Sequence, residues 1–274
     1  MARVRQLLKL EEEIRQLKKK FEERVDQRSA ELQAANDELQ ALTYSVSHDL
    51  RAPVRRIGGF CKLLLEDFAP ALPAEAIAHL KRIGDETRRM GLMLDDLLDF
   101  GRVERQPLHL VRTSLQHMIV KTIAELEDEV GSRHVEWKTA ALPRLECDPR
   151  MVKQVFHNLL SNALKFTRPR PRAVIEVGRT GPRSAPVFFV RDNGVGFDMQ
   201  HASKLFGIFQ RMHRAEDFEG TGVGLATARR IVQKHGGRMW AEAEPDKGAV
   251  FYFTLGPPVH VNSKMSSSKV RDRG

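Results

Sequence analysis

Residues 1–46 contain no Gly or Pro and repeat apolar positions at intervals of three and four. The first series is Leu7, Leu10, Ile14, Leu17 and Phe21, and a second follows at Val25, Leu32, Leu39 and Val46. This spacing predicts a coiled-coil helix. The eleven-residue step from Ile14 to Val25 shifts the frame, which locally unwinds a supercoil. Two interpretations stay open: a rod that only pairs two chains, and a helix that passes rotation or tilt to the residues after it.

Residues 47–105 have the pattern of a helical hairpin. The first helix continues through Pro53, which lacks an N–H and is expected to bend it, until Pro70 and Pro73 end it. The second helix has apolar residues at helical spacing and is expected to end near Gly101. A single hairpin would leave its apolar stripe in water, so we expect two copies to pair as a four-helix bundle in a homodimer.

From Leu108 onward the pattern changes to alternating strands and helices. Strand-like runs fall at residues 135–139, 144–147, 173–179, 187–192, 238–242 and 249–255. Helical patterns fall at about 114–130, 149–166 and 222–235. This alternation predicts an α/β sandwich with helices on one face of a mixed sheet.

The predicted fold class is therefore α+β, with a dimeric helical hairpin followed by an α/β sandwich domain. The boundaries that the pattern indicates are 1–46 for the coiled-coil helix, 47–105 for the hairpin, 107–256 for the α/β domain and 257–274 for the tail. The tail is polar and rich in Ser, Lys and Arg, and it is expected to be disordered.

Composition narrows the class of protein. With 274 residues and 41% apolar content, the chain can bury an ordinary core in one or two domains. No apolar run approaches the roughly 20 residues needed to span a bilayer, and no signal-peptide core follows the charged N-terminus, so we expect a cytoplasmic protein without a membrane segment. Cys61 and Cys147 stand far apart, which favours buried reduced thiols over a disulfide or metal site.

The formal net charge of +9 raises the possibility of nucleic-acid binding. The basic residues are, however, scattered among acidic ones, and the chain has only two Trp and two Tyr. No recognition-helix or RNA-binding signature interleaves basic residues with aromatic ones. We therefore expect no nucleic-acid partner.

The heptapeptide Ser47-His48-Asp49-Leu50-Arg51-Ala52-Pro53 carries the first candidate chemistry. A neutral imidazole nitrogen is a good nucleophile near neutral pH, and an adjacent carboxylate can take the ring proton as the other nitrogen attacks phosphorus. His48 is thus a candidate phosphoryl acceptor and Asp49 a candidate base. The alternative is an ordinary surface or packing histidine, since the chain has ten.

Asn158, Asn162 and Lys165 lie at spacings of four and three on one predicted helix, so they share a face. An amide oxygen is a suitable ligand for Mg²⁺, and a lysine ammonium matches the charge of a phosphate. Taken alone, the three residues could equally form a solvated helix face.

Asp192 ends an apolar strand and is followed by Gly194 and Gly196. The glycines allow a tight turn and a close approach to a flat ligand, and the carboxylate can accept a hydrogen bond from the amino group of adenine. A plain turn is the alternative.

Gly220, Gly222 and Gly224 precede a predicted helix whose free N–H groups and positive dipole end suit a phosphate. These glycines follow a loop and not a strand, which disfavours a dinucleotide-binding dehydrogenase. Residues 207–221 are expected to form a mobile lid over the nucleotide. Phe206 and Phe209 are its candidate apolar anchors, although such aromatics also occur as plain core.

Together these segments resemble sensor histidine kinases. The heptapeptide is similar to the H-box, and four partner motifs follow in the family's order. They are Asn158-Leu-Leu-Ser-Asn162-Ala-Leu-Lys165-Phe, Asp192-Asn-Gly194-Val-Gly196, Phe206-Gly-Ile-Phe209 and Gly220-Thr221-Gly222-Val-Gly224-Leu225. The resemblance covers roughly residues 25 to 256, and the H-box wording is weakly similar to that of bacterial phytochrome-type kinases.

The resemblance implies an enzyme that binds ATP and Mg²⁺ through these four motifs, with Asn162 as the metal ligand. It implies transfer of the γ-phosphoryl group to His48 and onward transfer to an aspartate in the receiver domain of a response regulator. The sensor domain that such kinases carry upstream is absent from this chain.

Two alternatives come from different classes. In related ATPases of the gyrase and Hsp90 type a Glu activates water at the position of Asn158, and an amide cannot accept that proton, which disfavours an ATPase. A coiled-coil scaffold with an inactive kinase domain is disfavoured because every motif is intact. In family members that dephosphorylate their regulators a Thr or Asn stands where this chain has Ala52, so we expect weak or absent phosphatase activity.

Overall fold

The computed structural model describes residues 2–182, 184–213 and 217–256. By its internal contacts the chain divides into two compact units, residues 1–94 and 95–274. The predicted tail, residues 257–274, lies outside the described residues. The domain boundaries expected from the sequence stay a prediction.

The first unit is built from two helices joined by a short turn. Helix α1 (Ala2–Phe68) remains a continuous helix through Pro53, and helix α2 begins at Ala74. The chain turns at Ala69–Ala71, where the N–H of Leu72 donates to the carbonyl oxygen of Ala69. Pro70 lies within this turn and Pro73 follows it, and α1 ends there, as the sequence predicts.

The two helices approach closely where a glycine faces a threonine. A Cβ atom on Gly58 would lie 3.3 Å from Cγ2 of Thr87, which is a tight contact that the Thr87 side chain would have to relieve. Thr87 is buried, as are Val54 and Cys61. Many apolar side chains of this unit are nevertheless exposed in the single chain: Ile57, Phe60, Leu63, Leu64, Phe68, Ile83, Met90 and Leu92.

Helix α2 (Ala74–Arg105) extends one turn beyond the end predicted near Gly101. Helix C-termini leave carbonyl groups without intrahelical partners. Here the ammonium of Lys234 donates to the carbonyl oxygens of Val103 at 2.8 Å and Glu104 at 2.6 Å. Because Val103 is also buried in the core of the second unit, packing and capping continue the helix past the glycine.

The second unit contains a mixed sheet, as predicted, and this sheet has five strands in the order β2-β4-β5-β7-β6. Its strands are β2 (Val135–Thr139), β4 (Ala173–Thr180), β5 (Val187–Asp192), β6 (Met239–Glu244) and β7 (Gly248–Thr254). β2 is parallel to β4, and the other neighbours are antiparallel. A separate ribbon pairs β1 (Val111–Ser114) with β3 (Arg144–Cys147). β1 was not predicted, because four partly exposed residues carry no clear alternation.

Four helices accompany the sheet: α3 (Leu115–Glu125), α4 (Glu127–Val130), α5 (Pro149–Phe166) and α6 (Gly224–Lys234). The single helix predicted at 114–130 is interrupted at Leu126, whose side chain is fully buried. α5 has the bounds that the sequence predicts. Asp148 caps its N-terminus by accepting from the N–H groups of Arg150 and Met151, and Pro149 occupies the first helical position.

The core of this unit lies between the helices and one face of the sheet. Its fully buried members include Val155, Phe156 and Leu160 of α5 and Ile175, Phe188 and Phe253 of the strands. Cys61 and Cys147 are buried free thiols, as predicted. Burial raises the pKa of Cys147 to about 11, which keeps this thiol protonated. Within the described residues, no helix is both long and apolar enough to cross a bilayer.

Candidate active site

A cavity of about 330 Å³ opens in the second unit beside α5, the end of β5 and the start of α6. It brings together most of the site residues predicted from the sequence. Those that line it are Asn158, Asn162, Lys165, Asp192, Gly196, Gly220, Thr221, Gly222, Gly224 and Leu225. The cavity therefore joins segments that lie far apart in the sequence.

Helix α5 supplies one polar wall because its two faces differ. Val155 and Leu159 point into the core, while Asn158 and Asn162 line the cavity. The side-chain amide of Asn158 donates to the carbonyl oxygen of Gly224 at 2.9 Å. Since Gly224 begins α6, this hydrogen bond fixes the two helices beside each other at the cavity.

Lys165 brings a cation to this wall. Its ammonium donates to Oδ1 of Asn162 at 3.1 Å and lies 4.5 Å from the centre of the Phe166 ring. Burial, together with the nearby guanidinium of Arg211, lowers the pKa of Lys165 to about 8. A bound phosphate would stabilise the charged form of this lysine.

Asp192 lies at the end of β5 with only 5% of its surface exposed. Burial raises the pKa of this carboxyl to about 6, against the effect of hydrogen bonds from the N–H groups of Gly194, at 2.8 Å, and Ala249. Gly196 follows with φ of 60°, and a Cβ atom there would lie 2.0 Å from the carbonyl oxygen of Glu244. Only glycine fits this turn.

The turn after Asp192 is held by an arginine. The guanidinium of Arg170 donates to the carbonyl oxygens of Asn193 and Gly194, both at 2.9 Å, and of Asp246 at 2.6 Å. The Asn193 side chain accepts from the N–H of Val174 at 2.8 Å. A planar fork that satisfies three carbonyl groups fixes the backbone that positions Asp192.

The glycine block forms the wall at the start of α6. Gly222 has φ of 76°, and its carbonyl oxygen accepts from the N–H of Phe209 at 3.0 Å. The hydroxyl of Thr221 donates to Oδ2 of Asp96 at 2.5 Å. Free N–H groups at the N-terminus of an eleven-residue helix attract anions, so this wall suits a phosphate.

Aromatic side chains form another part of the cavity lining. The ring centres of Phe166 and Phe218 lie 5.1 Å apart, and that of His213 lies 5.2 Å from Phe166. Phe197 and Phe251 also line the cavity. The lining therefore combines aromatic side chains with one buried hydrogen-bond acceptor, Asp192, and one cation, Lys165, as an adenine nucleotide requires.

Two families of known proteins match the chain in series. The family described as His Kinase A (phospho-acceptor) domain matches residues 38–106. The family described as histidine kinase-, DNA gyrase B- and HSP90-like ATPase matches residues 147–259. The chain belongs to the sensor histidine kinases. It spans the helices with the H-box and the domain with the cavity.

Relatives of this histidine kinase include longer proteins. Cyanobacterial phytochrome B of a Nostoc species is 35% identical over 232 residues, which cover 84% of this chain and 31% of that protein. The methanogenesis regulatory histidine kinase FilI of Methanothrix harundinacea is 37% identical over 236 residues, which cover 85% of this chain and 26% of that protein. The chain thus spans less than a third of the length of both relatives.

Solved histidine kinases share the fold. Full-length ShkA in complex with AMPPNP aligns with a TM-score of 0.57 and 21% identity, over 79% of this chain and 46% of that one. AdeS of Acinetobacter baumannii aligns with a TM-score of 0.53 and 18% identity, over 76% of this chain and 97% of that one. The predicted fold class is confirmed by these neighbours and by the mixed sheet.

Four predicted residues of the kinase lie outside the cavity lining. Gly194 acts through its N–H on Asp192, and Phe209 is 49% exposed and reaches the glycine block through its backbone. His48 and Asp49 lie on α1 in the first unit. The side chain of His48 lies outside the described residues. Of the predicted lid anchors, Phe206 packs partly against the core.

The oxygen donors in the cavity fit Mg²⁺ held mainly by a nucleotide. Among the described residues, no group of three or more His, Cys, Asp or Glu could hold a metal ion. Mg²⁺ takes one or two protein oxygens and completes its shell with phosphates and water. Asn162 offers such an oxygen on the polar wall that α5 supplies, where its Oδ1 accepts from Lys165.

Two residues of this site, Asp96 and Arg170, were not predicted from the sequence. Asp96 belongs to α2, and nothing in its helical pattern distinguishes it from Asp95 or Asp99. Arg170 stood in a basic cluster with Arg168 and Arg172, all of which are engaged within the domain. The alternation of these arginines with prolines was a signal for ordered arginine side chains, since prolines fix the backbone of such a segment.

Proposed function

We propose that this chain is an ATP-dependent protein-histidine kinase that phosphorylates His48 of its own hairpin. One nitrogen of the neutral His48 ring attacks the γ-phosphorus of ATP, the bond from that phosphorus to the β–γ bridging oxygen breaks, and ADP leaves. Asp49 takes the proton from the other ring nitrogen. Lys165 and the start of α6 hold the phosphates, Asp192 accepts from the adenine amino group, and Asn162 would hold Mg²⁺, which supplies charge neutralisation when bound.

One observation carries this proposal over an ATPase. The side chain that faces Gly224 is the amide of Asn158, and it donates its hydrogen bond to the Gly224 carbonyl oxygen. An amide in this position cannot remove a proton from water. Turning it toward a water molecule would also break its hydrogen bond to Gly224. The bound nucleotide is therefore protected from hydrolysis and remains available to a protein nucleophile.

The chemistry of the product bond tests the proposal. The full chain is incubated with Mg²⁺ and ATP labelled at the γ-phosphate, and the labelled protein is treated with acid and with alkali. A phosphorus–nitrogen bond gives label that is lost in acid and kept in alkali, whereas ATP labelled at the α-phosphate gives none. Release of free phosphate without protein labelling would identify an ATPase.

The functional unit proposed here is a homodimer. Apolar side chains such as Phe60, 63% exposed, and Leu92, 57% exposed, lie on the hairpin of the single chain. A second hairpin would cover them in a four-helix bundle. Sedimentation velocity at micromolar concentration should give the mass of two chains, and a monomer would contradict the bundle.

The onward acceptor proposed here is an aspartate in the receiver domain of a response regulator. A phosphohistidine is a reactive donor, and the relatives include a protein named sensor protein kinase WalK. Loss of label from His48 together with its gain by an added receiver domain would show this transfer. Label that stays on the kinase with every receiver domain tested would leave autophosphorylation as the whole reaction.

A further inference from the structure

The last turns of α2 are attached to the domain that holds the cavity. Residues 95–105 belong to the same compact unit as α5 and α6. Arg230 of α6 forms an ion pair with Glu104, and its guanidinium lies 4.7 Å from the centre of the Phe100 ring. Lys234 caps the end of α2, as described above. This end of the helix therefore has a fixed place beside the cavity.

One side chain of this segment reaches the cavity itself. Asp96 lines it together with Asn158 and Lys165, and Oδ2 of Asp96 accepts from the hydroxyl of Thr221 at 2.5 Å. The pKa of this carboxyl is raised above its ordinary value, and burial is the largest cause. The hydrogen bond from Thr221 lowers the pKa, while the charges of Asp99 and Asp95 raise it. Thr221 stands between two glycines of the block assigned to phosphate. A carboxylate thus lies where a triphosphate would bring negative charge.

Thr221 can serve only one of these acceptors. A hydroxyl group has a single proton, so Thr221 cannot donate to Asp96 and to a phosphate oxygen at the same time. The carboxylate also repels a phosphate through the partly buried space that both share. Occupation of the cavity by a triphosphate and the Asp96–Thr221 hydrogen bond therefore exclude each other.

We propose that Asp96 is an affinity-setting residue of the nucleotide site, whose hydrogen bond to Thr221 must open before ATP binds. This inference rests on the proposed function, because it assigns the cavity to ATP. Its consequence is that ATP binding releases a contact of α2, the helix that continues from Ala74. The effect of Asp96 on affinity should therefore increase with the number of negative charges on the ligand.

Calorimetry of the full chain with adenosine, ADP and ATP, each with and without Mg²⁺, tests this. Asp96→Asn keeps an oxygen that accepts from Thr221 but removes the charge, and Asp96→Ala removes both. We expect Asp96→Asn to tighten ATP binding about tenfold, with a smaller gain for ADP and none for adenosine. Asp96→Ala should tighten it further. Asp99→Asn is the control for a lost charge on the same helix, where Asp99 is exposed and paired with Arg102, and it should change ATP binding far less than Asp96→Asn.

Three results would overturn the inference alone. Unchanged or weaker ATP binding in Asp96→Asn would show that the carboxylate does not oppose the nucleotide. Weaker binding confined to Mg²⁺-ATP would make Asp96 a metal ligand. An equal gain for adenosine and ATP would show a steric effect and not a charge effect. Absence of ATP binding in the wild type and in every variant would overturn the proposed function, and this inference with it.

Discussion

The amide nitrogen of Asn158 donates to the carbonyl oxygen of Gly224 at 2.9 Å, and this bond ties the polar face of α5 to the first residue of α6. The two residues lie 66 positions apart in the sequence. Through this contact the wall that holds Asn162 and the wall formed by the glycine block line one cavity. The same contact engages the side chain at position 158, where related ATPases carry a Glu that acts as the base.

Replacing Asn158 by Glu should convert part of the kinase into an ATPase. The carboxylate can take a proton from water, while the lost donor should weaken ATP binding about fivefold, the worth of one hydrogen bond. Phosphate release in a His48→Gln background measures hydrolysis without transfer. Asn158→Gln is the matched control, since it has the same length and no base. Equal hydrolysis by both variants would show that position 158 does not decide the fate of ATP.

ATP binding should weaken as the pH rises above 8. The pKa of Lys165 in the nucleotide-free site is about 8, and only the protonated ammonium attracts phosphate. Above that pKa affinity should fall about tenfold per pH unit until it equals that of Lys165→Met. Titrations between pH 7 and pH 9.5 measure this, with adenosine as a ligand whose affinity stays constant. An ATP affinity that is flat over this range would remove Lys165 from the phosphate site.

Arg170 should control the preference for adenine. When its fork is removed by Arg170→Met, the turn after Asp192 loses two hydrogen bonds and its link to Asp246, so the carboxylate is no longer held toward the base. We expect ATP binding to weaken about tenfold while GTP binding changes little, because only adenine offers an amino group there. Arg170→Lys should be intermediate.

The matched control for Arg170 is Arg172→Met. The Arg172 side chain forms an ion pair with Glu136, and the turn after Asp192 reaches only the Arg172 backbone, whose carbonyl oxygen accepts from the Asn193 amide and is kept in the variant. Its loss should leave the ratio of ATP to GTP affinity unchanged. If Arg170→Met weakened both nucleotides equally and lowered the melting temperature, its role would be in folding alone.

Ala52→Thr should raise phosphatase activity toward a phosphorylated receiver domain while autophosphorylation is largely kept. Ala52 is exposed on α1, four positions after His48, and a hydroxyl there can orient the attacking water. Ala52→Val has the shape of threonine without the hydroxyl and should have no effect. Strong dephosphorylation by the wild-type chain would mean that another group orients the water.

Local sequence signals predicted the elements of the fold well where they were complete. Helix α5 has an N-cap, a proline at its first position and a strict apolar face, and its predicted bounds agree with the structure. Helix α2 was predicted too short because Gly101 is a local stop signal. The contacts that override it come from Val103 and Lys234, which only the folded domain brings together.

The polar walls of the site were predictable from spacing and resemblance. The hydrogen bonds that join residues far apart in the sequence were not. The glycine and asparagine motifs each carry a local pattern, so the sequence placed them in one site. Asp96 reaches Thr221 across 125 positions, and Arg170 reaches Asp246 across 76. Such contacts depend on strand order and helix packing, which no periodicity along the chain reveals.

The central claim is that the phosphoryl group of ATP is transferred to His48. The direct measurement is labelling from γ-labelled ATP in His48→Gln beside His79→Gln, an exposed histidine of the same hairpin that pairs with Glu75. We predict no labelling of His48→Gln, with ATP affinity unchanged, and normal labelling of His79→Gln. Retained labelling of a folded, ATP-binding His48→Gln protein would contradict the claim.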